Sequence, residues 1–482
     1  MRRLLPVALV LTFLVGASPA RPAGPSMAFG AAEDVVRQSD PVVARQKMAE
    51  LAAAGMRAVR VTSLWVPPAT APTPGEIATL TNVATAAQRY GVTVYVSVFS
   101  PGSKTTPLTP EAQSQFAQYA AALVRAVPAV RNVIVGNEPN LNRFWLPQFN
   151  PDGTDAAAPA YEALLTQTYD AIKAADPGVT VFGGALAPRG VDKPNTGRDT
   201  HSPTAFITDM GVAYRASGRT TPIMDAFAFH PYGESSNVRP DFAHPNSTSI
   251  GLADYGKLVG LLGQAFDGTG QPGSTLPILY DEYGVESTIP DTKLTFYTGN
   301  EPATTHPVDE TTQASYYTEA LSIAFCQPNV IGILLFHSQD ENVRASWQSG
   351  VYYADGSLKA SFWAVKAALD RARGGSIARC DGMQLDDVPT LLRFPKAAAL
   401  PGGKASIQLT CPLDCVATLS LTRSDGKVVW TRKAYALAGY AYRIPLGKLR
   451  LAPGRYAFSG SVVHPVNPGT PALTQGGTFI VR

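Results

Sequence analysis

The sequence predicts an α/β protein, a (β/α)8 TIM barrel followed by a small C-terminal antiparallel β-sandwich. Apolar runs rich in Val, Ile, Phe and Ala recur up to residue 337, spaced by roughly 30–55 residues as βα units are. Amphipathic segments of helical length lie between them. After about residue 385 this alternation stops, and short alternating stretches bounded by turn residues replace it.

The apolar runs lie near 27–31, 58–64, 92–99, 132–137, 179–185, 223–230, 277–282 and 330–337. Their nearly unbroken apolarity suits strands buried on both faces, as in an all-parallel sheet. Helices are expected at 41–54, 75–90, 110–126, 158–175, 203–217, 251–266, 311–326 and 358–372. Asp40 before Pro41 and Thr109 before Pro110 place a capping side chain ahead of a first-turn proline. Gly55 and Gly91 stand where the first two helices must end, since a left-handed residue is wanted there. Eight repeats favour closure over an open sheet. An open doubly wound sheet would carry a glycine-rich phosphate turn after its first strand, and Phe29-Gly30-Ala31-Ala32-Glu33 is not one.

Beyond the barrel, strands are expected at Ala405–Leu409, Val416–Thr422, Lys427–Lys433, Tyr440–Pro445, Gly454–Val463 and Gly477–Val481. Asp425-Gly426 and Pro453-Gly454 supply turns between them. This pattern is that of a sandwich. It has no cluster of aromatics to stack on a glycan, which favours a bracing role.

Met1-Arg2-Arg3, the apolar stretch 4–15 and the small residues Ala17-Ser18-Pro19-Ala20 have the form of a secretory signal peptide. The expected division is a signal peptide over 1–23, cleaved near Ala20 to Ala23, a catalytic barrel over 24–385 and a sandwich over 386–482. The apolar stretch is too short for a membrane span, so a secreted protein is expected. Charged residues are 16% of the chain, the formal net charge is +3, and no Lys/Arg run exceeds two. A nucleic-acid partner would leave a basic footprint, and none is present. Cys326, Cys380, Cys411 and Cys415 fit two disulfides, one clipping 411 to 415 and one tying 326 to 380. Zinc would want clustered histidines beside them, so neither metal nor cofactor is expected. Asn246-Ser247-Thr248 matches a glycosylation acceptor, a pattern common by chance.

Catalytic groups of such barrels sit at the C-terminal ends of the strands. The polar and aromatic residues there are Arg60 and Trp65, Asn137 and Glu138, His230 and Tyr232, Glu282, and His337 with Asp340. Asn, Arg and His can bond the hydroxyls of a sugar ring, and aromatic faces can stack on it. Two carboxyls supply the rest of glycosidic hydrolysis: one protonates the leaving oxygen and the other meets the anomeric carbon. Asp281 and Glu286 compete with Glu282 for the second role. Strand alternation puts Ile278, Tyr280 and Glu282 on one face and Leu279 and Asp281 on the other, so both acids could not face a substrate without a bulge. No histidine precedes His201, which sets aside barrels that bind metal through a His-x-His pair on their first strand.

Asn137-Glu138-Pro139-Asn140 resembles the acid/base motif of clan A glycoside hydrolases. The longer run Gly136-Asn137-Glu138-Pro139-Asn140-Leu141-Asn142-Arg143-Phe144-Trp145 is similar to family thirty-nine, which holds retaining β-xylosidases and α-L-iduronidases. The resemblance covers about residues 27–375. It implies Glu138 as acid/base and Glu282, ending strand seven, as nucleophile. His230-Pro231-Tyr232 is similar to the clan's His/Tyr pair beside the nucleophile, and Arg60 to its second-strand arginine. Trp145 would join the substrate-binding set. The clan's tryptophan at the end of strand eight is replaced by Leu335-Phe336-His337, leaving Trp347 or Trp65 to act as platform. Tyr280-Asp281-Glu282-Tyr283-Gly284 is closer to family five. The implied protein is a secreted retaining glycosidase acting on β-glycosidic bonds of a carbohydrate substrate, its two glutamates about 5 Å apart. The alternative is a barrel that binds glycans without cleaving them. The 285–310 loop could wall off one end of the cleft and favour exo action.

Overall fold

The computed structural model describes residues 27–373, 391–395, 405–411, 415–436, 441–447, 449, 451–463 and 473–481. The expected signal peptide, the boundary near residue 385 and the Cys326–Cys380 pairing lie outside these residues.

Eight parallel strands close into a barrel. They are β1 (Ala28–Ala32), β2 (Ala58–Leu64), β3 (Thr93–Phe99), β4 (Asn132–Val135), β5 (Thr180–Leu186), β6 (Ala226–Phe229), β7 (Ile278–Tyr283) and β8 (Val330–Leu335), with β8 pairing back onto β1. Helices α1 (Pro41–Ala53), α2 (Pro74–Tyr90), α3 (Pro110–Ala126), α4 (Ala157–Ala175), α5 (Pro203–Ala216), α6 (Tyr255–Phe266), α7 (Glu310–Phe325) and α8 (Ser361–Arg373) alternate with them. A short 3-10 turn, Leu252–Asp254, occupies the start of the segment expected as one helix from 251.

The helix starts follow the capping chemistry. Asp40, Thr73, Thr109 and Ser202 each accept a backbone N–H of the first turn, and each precedes a proline. Gly91 closes α2 with φ 64°.

Two apolar layers flank the sheet. Ala58, Tyr95, Ile134, Phe182, Ala228, Leu279 and Leu334 fill the barrel interior. Val59, Val133, Val181, Phe227, Ile278 and Ile333 join the larger core on the other side of the sheet. The alternation of these two sets along each strand is the period-two signature of a sheet covered on both faces.

The C-terminal part forms two antiparallel sheets. One has the order β13 (Ala441–Pro445), β10 (Ser406–Thr410), β9 (Leu391–Arg393). The other has the order β12 (Val428–Ala436), β11 (Cys415–Arg423), β14 (Gly454–Val463), β15 (Leu473–Val481). Their buried faces share a core of Leu392, Ile407, Leu409, Leu419, Leu421 and Phe458. Strand β9 was not foreseen, because three residues are too few for an alternation to show. Cys411 and Cys415 form a disulfide.

Candidate active site

A cleft of about 870 Å³ opens at the C-terminal ends of the barrel strands. Of the sequence-derived site residues, Arg60, Asn137, Glu138, Tyr232, Glu282 and His337 line it. His230 lies directly below, fully buried, and touches both glutamates.

Glu138 reaches the cleft because the chain leaves β4 abruptly. Gly136 has φ 92° and Glu138 has φ 43°. A side chain at 136 would meet the Tyr161 ring at 2.9 Å, so glycine is needed there for space as well as conformation. A left-handed glutamate costs on the order of 1–2 kcal/mol and persists only where its surroundings hold it. They do so through several bonds. Glu138 N donates to Ala185 O at 2.8 Å, and Leu141 N to Glu138 O at 2.9 Å. Asn140, wholly buried, accepts from Ala187 N at 2.9 Å and donates to His201 O at 3.0 Å. The motif's second asparagine therefore fastens the loop and does not touch the cleft.

Glu282 reaches the cleft by a different device. Tyr280 pairs with Ile333 and Tyr283 with Leu335, so β7 holds one residue more than β8 over this span. That bulge breaks the alternation that grouped Glu282 with Ile278 and Tyr280, whose side chains join the outer core. Asp281, in phase with interior Leu279, has no solvent exposure and lies 3.4 Å from Arg60 Nε and 3.3 Å from His230 Nε2. Glu282 stands above it on the cleft floor.

Arg60 joins the two acids. Its Nη1 donates to Glu282 Oε1, and its Nη2 donates to Asn137 Oδ1 at 2.6 Å and Ser97 Oγ at 3.2 Å. Tyr232 Oη donates to Glu282 Oε2 at 2.9 Å. His230 Nδ1 lies 3.0 Å from Glu138 Oε1 and 3.5 Å from Glu282 Oε2. One carboxylate oxygen each of Glu138 and Glu282, with a ring nitrogen of His230, fall within 4.8 Å of one another.

The electrostatics follow from this crowding. Burial works to raise the Glu282 carboxyl, but the charges of His230 and Arg60, with hydrogen bonds from Arg60 and Tyr232, bring it below its ordinary value. Burial works to lower His230, yet Glu282 and Asp281 outweigh it and push the ring up to about 10. Burial, then the charges of Glu282 and Glu138, hold the Tyr232 phenol well above its ordinary value, so it remains a donor. Nucleophilic attack needs an ionised carboxylate, and this set of donors keeps Glu282 in that state.

Three expected site residues lie elsewhere. Trp65 is buried edge-on to Phe116, its indole N–H donating to Ala69 O at 2.8 Å. Trp145 packs edge-on against Tyr161 beneath the β4 loop. Asp340 is held in a buried pocket by Lys359 Nζ at 2.7 Å, Tyr297 Oη at 2.7 Å and Gly350 N at 2.8 Å. Each is consumed by the scaffold. Trp347, the other aromatic considered as a platform, lines the cleft and lies 5.0 Å from the Tyr232 ring at 34°. Phe336 meets it edge-on at 5.2 Å, and Phe99 with Phe144 also lines the cleft. His337 stands on the rim, its Nδ1 donating to Ala32 O at 2.6 Å.

Glu286 was weighed only as a rival nucleophile. It lines the cleft yet is 7% exposed, and burial pushes it up to about 7 from 4.5. The folded protein then holds a proton across that window which the unfolded chain releases. Stability should fall as pH rises from 4.5 to 7, by at most about 3 kcal/mol. We expect Glu286→Gln to remove this slope, matching the parent in urea midpoint at acid pH and exceeding it in mildly alkaline buffer. Parallel midpoint curves for the two proteins would refute the assignment.

No protein-family model and no curated protein sequence matches the chain. Solved structures are similar in overall path. β-Glucuronidase 2 of Bacteroides uniformis, covalently bound to cyclophellitol-6-carboxylate aziridine, superposes with TM-score 0.46 at 12% identity over 95% of this chain. The matched part is 46% of that enzyme, so the chain spans less than half its length. A GH5_18 protein of Streptomyces cattleya in complex with GlcNAc gives 0.49 at 18% identity, over 74% of this chain and 82% of that one. A Bacteroidetes-affiliated GH5 cellulase gives 0.47 at 14%, over 74% and 93%. At these levels they say nothing about substrate, and the chemistry must be taken from the cleft.

Proposed function

We propose that the protein is a retaining glycosidase that cleaves β-glycosidic bonds by double displacement. The observation that carries this is that one carboxylate oxygen of Glu138 and one of Glu282 lie within 4.8 Å of each other across one cleft. Retaining enzymes hold their carboxyls about 5–5.5 Å apart, whereas inverting enzymes leave about 6.5–9.5 Å for an intervening water.

In this reading Glu138 gives its proton to the glycosidic oxygen while Glu282 attacks the anomeric carbon. The C–O bond to the leaving group breaks, and an ester bond to Glu282 forms. Water, deprotonated by Glu138, then releases the sugar with its starting configuration. Asn137, held by Arg60, would meet the 2-hydroxyl, and Trp347 would underlie the ring. The loop after β7 joins its neighbours through Ser236 N to Thr305 O at 3.1 Å and Thr298 N to Asn342 O at 2.8 Å, and a wall built from it at one end of the cleft would favour exo action. A glycan-binding barrel without catalysis has less support, since binding alone does not call for an ionised buried glutamate beside a second one.

Secretion is part of the proposal. A disulfide between Cys411 and Cys415 fits an oxidising compartment, and no helix among the described residues is long and apolar enough to cross a membrane. The sandwich is proposed as a brace.

The test is the anomer first released from an aryl β-glycoside, followed by proton NMR: the β-anomer is expected, and the α-anomer would refute retention. Glu138→Gln should lower kcat/KM by about 10²–10⁴-fold on a substrate with a poor leaving group. It should slow glycosylation much less with a dinitrophenolate leaving group, which needs no proton. Equal losses on both would deny Glu138 the acid role.

A further inference from the structure

The loop between β6 and α6 places Glu234 at the rim of the cleft and fixes it from two sides. Glu234 Oε1 lies 2.6 Å from His244 Nε2, and His244 Nδ1 lies 2.6 Å from Asp254 Oδ2. Asp254 has no solvent exposure, and it also accepts His244 N and Gly251 N, each at 2.7 Å. The main chain is clamped separately: Arg189 donates to Gly233 O at 2.9 Å and to Glu234 O at 3.3 Å.

Both ring nitrogens of His244 face carboxylate oxygens at hydrogen-bonding distance, so both must donate and the ring is an imidazolium. Two carboxylates and one cation leave one negative charge, delivered to the exposed end. Among the described residues no hydrogen bond reaches Glu234 Oε2. A surface glutamate ordinarily keeps its rotamer freedom, and burying a carboxylate–imidazolium pair costs desolvation. Here both costs are met to aim a single carboxylate.

We propose that Glu234 is a specificity-determining residue, accepting hydrogen bonds from hydroxyls of an uncharged sugar and disfavouring acidic ones. This rests on the glycosidase reading above. A carboxylate suits the purpose because it is an acceptor with room for two hydroxyl donors. Glu33, Asp34, Glu282 and Glu341 line the same cleft as Glu234 and outnumber its cations Arg60, Arg143 and Arg189, so a uronate or sulfated sugar would meet a surface mostly of its own sign. Arg189, the cation beside Glu234, has its guanidinium bonded to loop carbonyls.

The experiment uses aryl β-glycosides and short oligosaccharides of glucose, xylose and mannose, with aryl β-glucuronide as the acidic comparison. It compares the parent with Glu234→Gln, Glu234→Asp and His244→Gln. On the best neutral substrate KM should rise about tenfold or more in Glu234→Gln, the worth of a charge-assisted hydrogen bond, with kcat changed less than about twofold. Glu234→Asp should recover part of the loss, and the ratio of glucuronide to neutral turnover should rise in Glu234→Gln. A parental KM on every substrate, whatever happens to the melting temperature, would reduce the triad to a loop fastener and overturn the proposal. So would a parent enzyme that prefers the glucuronide. Turnover of no glycoside by the parent would instead overturn the glycosidase reading, and this inference with it.

Discussion

Glu282→Ala is expected to lower kcat on an aryl β-glycoside by roughly four to six orders of magnitude, the scale seen when a covalent nucleophile is removed. Added azide should restore turnover and give a glycosyl azide of inverted configuration, because the small anion enters from the side that Glu282 vacates. In Glu138→Ala the same anion should give the retained azide, since Glu282 still forms the ester and azide replaces water in the second step. Opposite configurations from the two variants would assign both roles in one experiment. The same configuration from both, or residual activity within tenfold of the parent in Glu282→Ala, would sink the assignment. Asp281 cannot stand in: it lies fully buried beneath the cleft floor, engaged with Arg60 and His230.

Arg60→Met should have the largest effect on stability, about 3–5 kcal/mol, because it strands two acids in a buried place. Arg60 is 5% exposed and touches Asp281, Glu282, Asn137 and Ser97 at once. Losing it should also let the Glu282 carboxyl rise, since its charge and hydrogen bond are among the influences that hold that group down. Activity should then decline as pH falls through the new, higher value, shifting the acid limb of the profile upward. Arg60→Lys keeps the charge but loses the planar fork, and should fall between the two. Urea midpoints read the stability, and a pH profile of kcat/KM on a folded variant reads the second effect. A midpoint change worth less than about 1 kcal/mol would show that water enters and replaces the guanidinium.

The barrel was legible because its strands are buried on both faces and its helices begin with distinct caps, so each unit announces itself locally. Glu138 and Glu282 were legible as strand-end acids in recognisable surroundings. What failed was direction. Trp65 follows β2 closely enough to look like a cleft aromatic, but its ring turns back onto Phe116. Trp145 sits within the acid/base run and supports it from below. Glu282 was grouped with Ile278 and Tyr280, which face the outer core, because strand parity holds only until a bulge, and a bulge leaves no mark in composition. Glu234 carried no signal, since its partners His244 and Asp254 belong to a loop whose path cannot be derived from spacing.

The Tyr161 hydroxyl donates to Val135 O at 2.7 Å and accepts Gly184 N at 2.7 Å, riveting the tips of β4 and β5 to helix α4. The loop that carries Glu138 is thus fixed from the helix side, while Glu282 is anchored by an arginine from β2 and a tyrosine after β6. Because Arg60 also grips Asn137 and His230 touches both carboxyls, a change in either fixture would be felt at the other.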